Sequence, residues 1–102
     1  MPHTVHVIAV LTTKPGTRAA VLAAFADNLA AVLAEQGCLK YVPTVDHADS
    51  GALYGPDTIV VVEEWQTAED LDAHRVAPHM QAFGARVGDH IARRAIHILT
   101  AP

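Results

Sequence analysis

One cysteine, Cys38, stands among the 102 residues, so no disulfide within the chain staples the fold, a usage that suits a reducing cytoplasm. No basic run is present either, and seven Lys and Arg against eleven Asp and Glu give a net charge of −4. A surface built for nucleic acid or anionic lipid is thereby disfavoured. The apolar runs are too short to span a bilayer, and Met1-Pro2-His3-Thr4 lacks the basic and apolar regions of a signal peptide. The expectation is a soluble cytoplasmic protein that engages no membrane and no nucleic acid. Gly-x-Gly-x-x-Gly, Walker, paired-cysteine and Gly-x-Ser-x-Gly motifs are all missing. An enzyme with this sequence therefore works with side chains and the reactivity of its own substrate.

What is present is largely apolar. Hydrophobic residues make up 51% of the chain and charged residues 18%, which excludes intrinsic disorder. The length fits one domain over 1–102, because a second core would leave each half near the lower limit for independent folding. A chain of this size buries roughly 60–70% of its unfolded surface. That leaves little room for so much apolar material, and self-association is the natural outlet. Seven histidines are the compositional oddity.

From His3 to Thr12 the β-branched residues Val5, Val7, Ile8 and Val10 predict a strand, ended by the turn chemistry of Lys14-Pro15-Gly16. Both parities are apolar, so both faces of the sheet should be covered. Thr17 is the expected N-cap of a helix running to about Gln36, with Val21, Leu22, Phe25, Leu29, Val32 and Leu33 as its apolar stripe and Gly37 as its left-handed terminator. A second strand, Cys38 to about His47, is edge-placed or bent because Pro43 cannot donate a ladder hydrogen bond. A third, Thr58 to Gln66, reads as central. Thr67 and Asp70 match a capping box for a short helix to about Arg75, and Pro78 opens another that carries Met80, Phe83 and Val87 and stops at Gly88. Strand residues return from Ile91 to Thr100. The order βαββαβ, its second helical region broken in two, predicts an α+β ferredoxin-like fold with an antiparallel four-stranded sheet. If Val60 and Val62 occupy the face without helices, face-to-face dimerisation is the remedy for an apolar patch.

His74 follows Leu71 by three residues and should point inward. His79 precedes Phe83 by four, so both rings are placed to border one apolar cavity. Spacing leaves two roles open for each: a helix-end cap or core hydrogen bond, and catalysis. A zinc pair is disfavoured, since the proline break removes i, i+4 geometry and no third ligand lies nearby, and no metal is expected. Glu63 shares parity with Ile59, Val61 and Trp65, so its carboxylate needs a partner, with Arg75, Arg86, His74 or a backbone group as candidates. Glu64 reads as a strand-end acid reaching solvent. Trp65 needs a partner for its indole N–H if buried, and its ring is a candidate pocket wall. Tyr41 offers a phenol from the second strand. Cys38 has no base beside it in sequence and reads as a small hydrophobe.

Taken in order, Lys14-Pro15-Gly16, Glu35-Gln36-Gly37-Cys38-Leu39-Lys40-Tyr41, Glu63-Glu64-Trp65 and His74-Arg75-Val76-Ala77-Pro78-His79-Met80 resemble the antibiotic biosynthesis monooxygenase superfamily. Pro56-Asp57-Thr58-Ile59-Val60 and Ile96-His97-Ile98-Leu99 strengthen the likeness to its bacterial quinol monooxygenases. The resemblance implies a ferredoxin-like protomer, a homodimer joined through its sheets into an α/β barrel, and oxygen chemistry without metal, flavin or haem. It places Tyr41, Glu63, Trp65, His74 and His79 at recurrent polar or aromatic positions. Haem-degrading members carry an Asn in the first strand where this chain reads Ile8-Ala9-Val10, so haem is not expected.

The expected activity is a cofactor-independent monooxygenase or oxidase of quinols or related polyphenols with O2. Phenols ionise near ~10, so a histidine base raises the reactive fraction at neutral pH. His79 is the first candidate for that base and His74 the second, with Glu63 orienting or stabilising the resulting imidazolium. Tyr41 would bond the quinone oxygen while Trp65, Met80 and Phe83 hold the ring. A dicarbonyl isomerase using the same residues, and a non-catalytic dimer binding an apolar ligand, are the two alternatives.

Overall fold

The computed structural model describes residues 3–102; Met1 and Pro2, part of the N-terminal stretch read above as lacking a signal, lie outside the described residues. The elements are β1 (Val5–Thr13), α1 (Arg18–Leu33), β2 (Cys38–Thr44), β3 (Thr58–Trp65), α2 (Ala68–Val76), α3 (Pro78–Val87), a short 3-10 turn (Gly88–His90) and β4 (Ile91–Leu99). The sheet order is β2-β3-β1-β4 with every neighbouring pair antiparallel. This is the ferredoxin-like α+β topology expected from the element order. Pro43 does fall on an edge strand, where its missing N–H costs no ladder bond.

Alternation along the strands divides the sheet into two unlike faces. Val5, Val7 and Ala9 of β1, Ile59, Val61 and Trp65 of β3 and Tyr41 of β2 are buried with Val21, Phe25 and Val32 of α1, Leu71 of α2 and Val87 of α3. Burying these side chains, at roughly 1.5–3 kcal/mol for each large apolar one, holds the helical layer on the sheet. The other parity brings Ile8 opposite Val62 and Val10 opposite Val60. These four are half-buried, and no helix of this chain covers them. Coverage of both faces is therefore not achieved within one chain.

Two local expectations are corrected. The Thr17 side chain does not cap α1: its hydroxyl donates to the carbonyl oxygens of Lys14 (2.8 Å) and His90 (3.4 Å), and its backbone is near-helical. The hydroxyl is thus spent on closing the Lys14-Pro15-Gly16 turn. α1 ends at Leu33 rather than Gln36, because Glu35 N–H turns back to Val32 and Cys38 N–H to Glu35 in a tight turn before Gly37 (φ +78°). The capping box stands, with Thr67 Oγ1 accepting from Asp70 N–H at 3.1 Å.

Candidate active site

Glu63 and Trp65, two residues apart on β3, project from the same face toward the helices. Their proximity answers two needs together: the indole N–H donates to Glu63 Oε1 at 2.9 Å, and both side chains are buried. The partner of Glu63 is thus Trp65, not Arg75, Arg86, His74 or a backbone group. Burial still pushes the Glu63 carboxyl above its ordinary value, against the opposing pull of the Trp65 hydrogen bond and of His74. Tyr41 pairs with Glu63 across β2 and β3. Burial first, then the nearby acids Glu63 and Glu35, drive its phenol far above the usual range, so Tyr41 is a neutral donor. Its hydroxyl has no hydrogen-bond partner among the described residues.

His74 is buried, as its spacing from Leu71 predicts. Its ring lies 4.6 Å from that of Trp65 and meets Tyr41 edge-on at 5.6 Å. Its Nδ1 is 2.8 Å from Glu35 Oε2, and Nε2 of His79 reaches the same oxygen at 2.8 Å. Glu35, to which sequence reasoning gave no role, is thus the acid that joins the two rings. A signal was available: Glu35 stands just beyond the C-terminus of α1, the negative pole of the helix dipole, where an acid is out of place unless something else holds it.

A cavity of about 350 Å³ lies between the sheet and the helices, within the size range of small-molecule sites, roughly 300–1,000 Å³. Its floor is Val7, Ala9 and Leu11 of β1, and its roof is Met80, Phe83, Gly84 and Val87 of α3. Tyr41, Glu63, His74, Arg75 and Arg94 supply polar groups, while Ile96 and Ile98 of β4 form a half-exposed outer wall. The structure thus brings Tyr41, Glu63, His74, Met80 and Phe83 together. Trp65 is fully buried behind His74 and is no cavity wall, because its N–H is tied to Glu63 and its face is taken by the imidazole. His79 also lies outside this cavity, in a shallow groove between α1 and α3 beside Asp27, Asn28 and Arg86. Cys38 packs against the core, and burial with Glu35 and Glu63 nearby raises its thiol, the reverse of an activated nucleophile. Among the described residues, no group of three His, Cys, Asp or Glu is placed to hold a metal ion. Nor is any helix there long and apolar enough to cross a membrane.

Comparison with known proteins agrees with this architecture. The model of the antibiotic biosynthesis monooxygenase family matches residues 4–86. The chain belongs to that family. Within it, the chain is 40% identical over 97 residues to the "probable quinol monooxygenase YgiN" of Escherichia coli K12, covering 91% of this chain and 93% of that protein. It is 31% identical to Rv0793 of Mycobacterium tuberculosis, whose solved structure matches with a TM-score of 0.79 over 97% of this chain and 94% of that one. A conserved protein from Methanosarcina mazei Go1 shares the fold at a TM-score of 0.86 with 20% identity, over 98% and 94% of the two chains. Family and fold therefore stand as the ordered motifs indicate.

Proposed function

We propose that this chain is a monooxygenase or oxidase that reacts quinols or related polyphenolic aromatics with O2, without metal or organic cofactor, as a homodimer. The observation that carries the reading is His74: its Nδ1 is fixed by Glu35 while the ring borders an apolar chamber that also holds Tyr41 and Glu63. With Nδ1–H donated to the carboxylate, Nε2 carries the lone pair, which makes it a general base for a phenolic O–H. His79, outside the chamber, is not positioned for that contact, so the base is His74.

Removing the phenolic proton leaves an electron-rich phenolate that transfers electrons to O2, a small apolar co-substrate suited to this chamber. In the oxidase outcome a hydroquinone gives up two electrons and two protons, and O2 leaves as hydrogen peroxide. In the oxygenase outcome O2 bonds to a ring carbon that bears hydrogen, the O–O and C–H bonds break, one oxygen stays as a carbonyl, and the other departs as water with the ring and phenolic hydrogens. Glu35, in contact, and Glu63, through its field, stabilise the imidazolium that forms. Tyr41 donates its O–H to the oxygen that becomes the quinone carbonyl, and Met80 and Phe83 pack on the ring and exclude water.

The test is O2 uptake with a reduced naphthoquinone, corrected for the non-enzymatic rate. His74→Ala should lower the excess rate by roughly 10²–10⁴-fold. A folded His74→Ala variant with full activity sinks the base assignment. Turnover of a dicarbonyl without O2 would mark an isomerase, and quinone binding without turnover a binding module.

A further inference from the structure

We infer that Glu35 and His79 form a proton relay that connects the buried His74 to solvent; this deepens, and rests on, the reading of His74 as the base. After each deprotonation His74 is an imidazolium enclosed by substrate, Trp65 and Tyr41, and it must lose a proton before it can act again. Its side chain is 6% exposed, so bulk water does not reach it freely. On its Nδ1 side lies Glu35 Oε2, and 2.8 Å beyond that oxygen is Nε2 of His79. The His79 side chain is 29% exposed and opens on the groove between α1 and α3, away from the chamber. Three elements thus converge on one oxygen: the end of α1 supplies the acid, α2 the inner ring and the first turn of α3 the outer ring. A carboxylate at the wrong pole of its helix, held by one ring from the chamber and one from the surface, is a bridge between the two compartments.

The protons balance. The substrate O–H proton goes to His74 Nε2, and the Nδ1 proton passes to Glu35 Oε2. That proton moves on to His79 Nε2 when His79 holds its own proton on Nδ1, the tautomer that water exchange supplies at an exposed ring. The His79 Nδ1 proton then leaves to water, which restores every charge but leaves both rings protonated on the opposite nitrogen. When His74 Nε2–H passes its proton to the reduced oxygen, the relay runs inward from water through His79 and Glu35 to His74 Nδ1, so the tautomers are reset and no net proton is lost. The charged neighbours are the Asp27–Arg86 pair (2.8 Å) beside His79, and Glu63 beside His74, with Arg75 and Arg94 on the lining of the chamber. His79 touches no substrate in this scheme and acts through His74.

His79→Gln separates relay from support, because its amide N–H can still donate to Glu35 but cannot pass a proton on. Exchange of the His74 ring proton with solvent, followed by nitrogen-15 NMR, should slow by roughly tenfold or more in this variant. In quinol turnover, kcat should fall by about as much with KM little changed, and added imidazole should restore His79→Ala. Unchanged His74 exchange in His79→Gln, or full kcat in that variant, overturns the relay. A wild-type protein whose His74 exchange depends on His79 but that consumes no O2 with quinols keeps the relay and refutes the substrate reading instead.

Discussion

Ionising Glu63 is a cost that the fold bears for the sake of the chamber. Because burial raises its folded pKa, the carboxyl stabilises the fold fully below its unfolded pKa and loses that contribution as pH climbs through the folded value. Glu63→Gln keeps an oxygen for the Trp65 N–H and removes the charge. It should therefore melt above the wild type at about pH 7, with the gap closing toward about pH 4, while quinol oxidation falls. Thermal denaturation at the two pH values checks the sign. Tyr41→Phe removes a hydroxyl with no protein partner among the described residues, so stability should move by less than about 1 kcal/mol while the rate drops roughly five- to tenfold. Individual residues were unevenly legible. The inward turn of His74 follows from Leu71 three positions earlier, whereas the needs of Glu63 and of the Trp65 indole were each read from the sequence without being joined as one hydrogen bond. Glu35 escaped because its contacts join positions 39 and 44 residues away on other helices, which no local spacing encodes.

α2 turns Leu71 and His74 inward, and its start is set by Thr67. Thr67→Ala should cost about 1 kcal/mol and lower the melting temperature by about 4–8 °C, visible by calorimetry. Gly37 ties this helix to the end of α1: at φ +78° it adopts a left-handed conformation, and a Cβ there would lie inside the Asp70 carboxyl group. Gly37→Ala should destabilise by roughly 1–2 kcal/mol from conformation alone, more if Asp70 cannot move aside. Elements with strong periodicity were readable, as the helix break before Pro78 and the α1 stripe show, although Leu33 at the end of that stripe is exposed. Thr17 was not, since its hydroxyl donates at 2.8 Å to Lys14, three residues back, and at 3.4 Å to His90, and residue type alone does not tell a helix cap from a residue that closes the preceding turn.

The whole molecule presents Ile8, Val10, Val60 and Val62 on a sheet face that its own helices leave open, with Val42 and Leu99 exposed at either edge. A second copy is the proposed cover, and sedimentation at micromolar concentration should report twice the chain mass. Val60→Lys with Val62→Glu should shift the particle to a monomer, whereas a wild type that already sediments as a monomer removes the dimer. Apolar parity made this face legible, but the partner's geometry lies outside what one chain encodes locally. The chamber itself is built from unequal parts. Its floor, β1, is hydrogen-bonded on both sides, while its roof is one ten-residue helix presenting Met80, Phe83, Gly84 and Val87 in a single stripe. Substrate range should therefore be rewritten by exchanging only the Met80–Val87 part of that helix between relatives, with His79 at its start kept on Glu35.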